Sequence, residues 1–152
     1  MKILKVAAVM FGSMASPLMA DGHATGDAEA GEKVFKKCKS CHMIQNAEGE
    51  VIAKGGKSGP NLYGIYGIAA GSKEGFAKKF GKDIVAAGAA GLEWNEADFI
   101  KYVADPKAFL REYLDNGKAK SKMSFKLKDA EDAANVWAYL VSVGPEVAPK
   151  SE

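Results

Sequence analysis

Cys38-Lys39-Ser40-Cys41-His42 is the stretch on which the reading of this chain turns. Two thiols followed at once by an imidazole make the C-x-x-C-H pattern of c-type haem attachment. That chemistry needs both thiols close enough to add to the two vinyl groups of one haem, and an imidazole set against the iron. A helix ending here brings all three groups to the same porphyrin edge and face. Three other readings compete. A redox C-x-x-C pair usually sits in a βαβ pattern, and the chain shows no strand pattern. A zinc site needs a fourth ligand, but no other cysteine exists and His23 lies in the N-terminal tail. A structural disulfide leaves His42 unexplained.

Outward from the motif, the pattern is helical. Asp27 is placed to cap a helix that runs through Val34 and Phe35 to about Ser40. Residues 44–93 are rich in Gly and Lys with little periodicity, and read mostly as ordered loop with a short helix near 84–88. A loop this long is unusual unless it wraps something or serves a function. Asn95 then caps a helix carrying Phe99, Tyr102 and Val103 on one face. It ends near Asp105, because Pro106 disfavours helix in the residue before it. Asp105 and Pro106 open a further short helix through Leu110. After a Lys-rich loop over 115–128, Asp129 opens the last helix, with Val136, Tyr139, Leu140 and Val143 three or four apart until Gly144-Pro145. No internal repeat is seen. The plan is an all-α single domain, its long loops wrapping one covalently bound haem c that replaces part of the side-chain core.

The first twenty residues have the form of an export signal: Lys2 and Lys5, an apolar run over 6–14, then Ser16 to Ala20 as a cleavage region. Cleavage is placed after Ala20, although a cut after Ala15 fits the small-residue rule better. The apolar run is shorter than the roughly 20 residues that span a bilayer, so no membrane anchor is expected, and residues 21–152 form the periplasmic haem-bearing body with a frayed tail over 21–26. The whole chain of 152 residues has 21 basic and 19 acidic side chains, a formal charge of +2, and 47% apolar residues. This suits one folded domain and lacks the charge excess of a nucleic-acid-binding tail. Removing residues 1–20 takes away Lys2 and Lys5 and no acid, leaving 19 of each sign.

Haem irons that cycle electrons are usually capped on both faces, by His/His or His/Met. His42 takes one face. Past residue 20 the remaining candidates are His23, Met43 and Met123. His23 sits in the tail, and Met43 adjoins His42 and cannot easily cross the ring. Met123 is therefore the expected second axial ligand.

With these residues in hand, the chain resembles the class I c-type cytochromes, most closely the bacterial cytochrome c2 type. The resemblance runs over residues 27–143. It includes Gly31, Phe35, the haem motif, the run Ser58-Gly59-Pro60-Asn61-Leu62-Tyr63-Gly64, Trp94, Tyr102, Asp105-Pro106-Lys107, Lys122-Met123 and Tyr139. It implies that the first and last helices cross, with Gly31 close against Tyr139. It implies too that the Pro60 carbonyl accepts from His42, that Trp94 and Ser121 donate to haem propionates, and that the Tyr102 hydroxyl lies near the Met123 sulfur. Two positions depart from the family's pattern: Ile68 stands where a basic residue is common, and Gly75-Phe76 leads to Lys78, Lys79 and Phe80 in place of a tyrosine. Both usual groups support propionates, so the propionate environment, and with it the potential, is left open.

The function expected is a one-electron shuttle, not an enzyme. Lysines dominate 118–128, with five and no acid, while 21–32 hold four acids and no base. Residues 129–152 hold five acids against Lys150. A basic front around the haem edge would steer an acidic partner. The candidate partner surface is Lys37, Lys39, Lys57 and Lys107, with Lys120, Lys122, Lys126 and Lys128. The resemblance implies quinol–cytochrome c oxidoreductase as donor and a photosynthetic reaction centre, terminal oxidase or nitrogen-oxide reductase as acceptor, the carrier acting as a monomer. The competing reading is a ligand-binding or peroxidase-like haem protein with a displaceable Met123.

Overall fold

Where the chain leaves its N-terminus, side-chain caps decide where helices begin. The computed structural model describes residues 24–146; the export segment and His23 lie outside them. Asp27 accepts from the Ala30 N–H and opens α1 (Ala28–Phe35). Asn95 and Asp105 do the same for α3 (Glu96–Ala104) and α4 (Pro106–Tyr113), and Asp129 for α5 (Ala130–Ser142). Each cap satisfies one of the amide groups that a helix start leaves unpaired. The fifth helix, α2 (Lys82–Ala89), has no such side-chain bond at its start, and it is longer at both ends than the short helix expected near 84–88.

Two expectations need correction. The regular part of α1 stops at Phe35, short of Ser40. From there the chain runs through tight turns, with Lys37 N–H on the Val34 carbonyl, Cys38 N–H on Phe35, and both Cys41 and His42 N–H on the Cys38 carbonyl. The long loop also contains strand: β1 (Ile44–Gln45) pairs antiparallel with β2 (Val51–Ala53). The reversal between them is tied by Asn46, whose side chain accepts from the Glu50 N–H at 2.8 Å. Asn61 then clamps β1 from another loop, accepting from Gln45 N–H at 3.0 Å and donating to the Gln45 carbonyl at 2.7 Å. The tail is also better held than expected from Ala24 onward. The Thr25 N–H and hydroxyl both reach the Glu96 carboxylate, and Ala24 packs on the core.

The frame is the crossing of α1 on α5. A β-carbon on Gly31 would fall 1.9 Å from the Asn135 carbonyl oxygen and 2.9 Å from the Tyr139 β-carbon, so only glycine permits this approach. The Asn135 side chain, itself buried, accepts from the Asp27 N–H at 2.7 Å and locks the crossing. Phe35 and Tyr139 meet beside it with ring centroids 5.6 Å apart. Around this crossing one apolar cluster gathers Phe35, Ile44, Phe99, Val136 and Trp137. A second cluster, with Ile84, Leu92, Phe109 and Leu110, lies under α2 and α4. Trp94 and Tyr102 pack against both clusters, and between the two cores the chain leaves a cavity.

Candidate haem site

The cavity has a volume of about 290 Å³, near the small end of ligand pockets at roughly 300 Å³. Cys38, Cys41 and His42 reach it from the turns after α1, and Met123 from the loop between α4 and α5. Pro60, Trp94, Tyr102 and Ser121 line it too. Every residue that the sequence places about the haem is thus brought to one cavity.

The two thiols are not joined to each other. Burial, opposed in part by the Lys37 charge, pushes the Cys38 thiol up to about 11. Cys41 is exposed, and hydrogen bonds from Ser58 and Ser40 hold its thiol below the ordinary value. Among the described residues, no three His, Cys, Asp or Glu side chains gather as a metal cage.

His42 is fixed from two sides. Its Nδ1 is 2.8 Å from the Pro60 carbonyl oxygen, so the neutral ring donates there and keeps the Nε2 lone pair for a ligand bond. Burial holds the imidazole below its usual value, with the Pro60 hydrogen bond opposing. A β-carbon at Gly59 would lie 2.4 Å from the ring's Cε1, so the loop backbone closes directly on the imidazole. The Gly59 N–H is in turn held by the Cys41 carbonyl at 2.8 Å.

Met123 is half-buried and packs on the first cluster. Its N–H donates to the Ser121 hydroxyl at 3.1 Å. The acidity of the Tyr102 hydroxyl is weakened chiefly by burial, with Ser121 opposing. Trp94 meets Tyr102 edge-on at 5.0 Å and is positioned by its backbone N–H on the Ile68 carbonyl. Farther along the Met123 loop, Leu127 N–H bonds the Val103 carbonyl at 2.7 Å, and Lys126 pairs with Asp105 at 2.6 Å.

Three contacts escape sequence reasoning. Asp83, buried in the first turn of α2, accepts from the Lys120 N–H at 2.9 Å and ties that helix to the Met123 loop. The Lys122 ammonium donates to the Lys79 carbonyl at 2.7 Å, linking two segments of the cavity wall. Lys73 turns in to the wall and donates to the Tyr63 carbonyl. Nothing in the order of residues marks any of them, because each depends on a contact 10 or more residues away.

The candidate partner lysines divide. Lys37, Lys120 and Lys122 line the cavity, whereas Lys39, Lys57, Lys107, Lys126 and Lys128 stand outside its wall. Lys37 is engaged with Asp132 of α5 at 2.9 Å, and Lys126 with Asp105, so neither is a free cation.

The fit to a haem rests on this donor set. Two thiols, one oriented neutral imidazole and one thioether share a largely apolar cavity whose lining holds five lysines and no acid. That charge pattern suits a group carrying carboxylates.

Comparison with known proteins agrees. The family model "Cytochrome c" matches residues 28–144. The chain is 55% identical over 130 residues to cytochrome c-551 of Roseobacter denitrificans, covering 85% of this chain and 86% of that one. It is 50% identical over 119 residues to cytochrome c2 of Cereibacter sphaeroides, covering 78% and 95%. Among solved structures, cytochrome c2 from Rhodobacter sphaeroides superposes with a TM-score of 0.76 at 50% identity, covering 82% of this chain and 99% of that one. Cytochrome c2 from Paracoccus denitrificans gives 0.75 at 48% identity, covering 80% and 99%. With crossed helices, a C-x-x-C-H wall and these relatives, the chain belongs to the cytochrome c family, as a class I, c2-type electron carrier that binds one covalent haem c.

Proposed function

We propose that this protein is a periplasmic one-electron shuttle, exported by a signal cleaved after Ala20, with residues 21–152 as the working domain. Cys38 and Cys41 would hold the haem by thioether bonds, and His42 and Met123 would ligate its iron. The observation that carries this reading is the convergence of His42 and Met123 on one cavity, each held by its own hydrogen bonds. Haem iron supplies a ferrous–ferric couple, and His/Met ligation raises its potential.

What the chain does is hold both ligands still. Pro60 and Gly59 leave the imidazole one orientation. Ser121, the Asp83–Lys120 bond and the Leu127–Val103 bond fix the backbone on both sides of Met123. A rigid ligand set changes little between oxidation states, so little has to reorganise when an electron moves. Trp94 and Ser121, which line the cavity, are the proposed donors to the haem propionates. No helix among the described residues is long and apolar enough to cross a membrane.

Quinol–cytochrome c oxidoreductase is the proposed donor, and a reaction centre, terminal oxidase or nitrogen-oxide reductase the acceptor. The exposed lysines near the cavity, Lys120 and Lys122 foremost, would steer these encounters with the outer set Lys39, Lys57, Lys107 and Lys128. Reduction by the donor should slow as ionic strength rises; a salt-independent rate removes the steering role.

The ligand assignment is tested on Met123→Ala. The sulfur–iron charge-transfer band should vanish, the potential should fall, and the ferrous protein should bind carbon monoxide. If the unaltered ferrous protein already binds carbon monoxide readily, the iron is open and the ligand-binding or peroxidase-like reading replaces the shuttle.

A further inference from the structure

Five lysines line the cavity, and they are not equivalent. Lys37, Lys79, Lys120 and Lys122 are exposed at its rim; Lys73 alone is half-buried. An ammonium drawn away from water needs compensation, and it has three N–H donors to satisfy. Lys73 places one on the Tyr63 carbonyl. Burial holds its pKa below the usual lysine value, with only the adjacent Glu74 opposing. Among the described residues it forms no ion pair, the two that exist being Lys37–Asp132 and Lys126–Asp105. The charged or titratable side chains sharing its cavity are the four rim lysines, His42, the two cysteines and Tyr102, none of them a carboxylate. Ile68, on the same wall, offers no charge. The protein thus turns a cation inward, with the charge of Glu74 next to it in the chain but no carboxylate in the cavity lining to meet it. The haem of this family carries two.

We propose that Lys73 is the fixed counter-ion of a haem propionate and that its charge holds the reduction potential up. This rests on the haem reading above. A positive charge near the ring disfavours the extra positive charge of ferric iron, and it acts more strongly where water is partly excluded. The rim lysines, in high dielectric, are screened by salt. Lys73 is therefore a positioning and tuning residue, not a ligand.

The experiment is a potentiometric titration of the holoprotein beside Lys73→Met, Lys73→Arg and the rim control Lys79→Met. Lys73→Met should shift the ferrous–ferric equilibrium roughly tenfold toward ferric, a fall of about 59 mV for a one-electron couple. Lys73→Arg should restore most of it. Lys79→Met should shift it less than about twofold, and that shift should fade in about 0.5 M salt while the Lys73 effect persists. Lys73→Gln repeats the charge removal should the Met variant fold poorly. An unchanged potential in Lys73→Met, with the haem spectrum intact, overturns the proposal, as does an effect abolished by salt. A wild-type protein whose haem can be extracted by acidified solvent would instead overturn covalent attachment, on which the proposal depends.

Discussion

The α1–α5 crossing and the cavity wall solve the same packing problem by opposite means. At the crossing, backbone lies on backbone at Gly31, and Phe35 and Trp137 are wholly buried among side chains of the chain itself. Along the wall, loops 54–81 and 115–129 are held by scattered polar ties, among them His42 to Pro60, Lys120 to Asp83, Lys122 to Lys79 and Lys73 to Tyr63. What these loops enclose is a cavity. The crossing should hold on its own contacts, while the wall depends on the group inside it, since a ligand bound only by the folded state stabilises that state.

The strongest way to break this comparison is to prevent attachment. In Cys38→Ser/Cys41→Ser, amide exchange over 61–80 and 119–127 should accelerate by at least about a hundredfold, roughly 3 kcal/mol of lost local stability, with a smaller change in α1 and α5. Equal acceleration in both regions would mean that frame and wall form one cooperative unit.

Gly31→Val attacks the frame instead. Its side chain would meet the Asn135 carbonyl and Tyr139, so α1 must lift from α5, costing about 3–4 kcal/mol in urea unfolding. The haem spectrum of the molecules that remain folded should be unchanged. A changed spectrum would tie the crossing directly to the iron ligands. Gly59→Ala is the matching change in the wall. The added carbon crowds the His42 ring, so this variant should lose about 1–3 kcal/mol and also shift the Soret band. A stability loss with no spectral change would show that the loop moves rather than the imidazole.

These two regions were also unequally legible in the sequence. The helices of the frame announce themselves through Asp27, Asn95 and Asp129 as caps and through apolar residues three or four apart in α5. Both signals are local and owe nothing to distant partners. Met123 follows by elimination, because so few sulfur or imidazole groups remain past residue 20. The hairpin did not show, since its two short strands carry no alternation and are fixed by Asn61 from another loop. The end of α1 is not legible in the sequence because Lys36, Lys37 and Lys39 are all compatible with helix, and it is turn hydrogen bonding that bends the chain toward the haem motif. Asp83 and Lys73 look like surface charges until the fold buries them. Charges acquire meaning here only through what packs over them.

The smallest effect should come from the surface tie between the α3–α4 junction and the wall, Asp105–Lys126. Asp105 caps α4 through the Ala108 N–H at 3.1 Å while also holding Lys126, three residues past Met123. The Lys126 hydrogen bond, more than the cap, holds its carboxyl below the ordinary value. A carboxyl lowered by folding contributes stability above its unfolded pKa, about 3.9, and that contribution is lost as pH falls through the lower folded value. Asp105→Asn keeps an equally good cap and removes only the charge. Its urea midpoint should lie slightly below that of the unaltered protein near neutral pH, and the two should converge in acid and at high salt. A gap that persists unchanged at about pH 2 would place the loss in the cap geometry rather than in the ion pair, making Asp105 a helix cap alone.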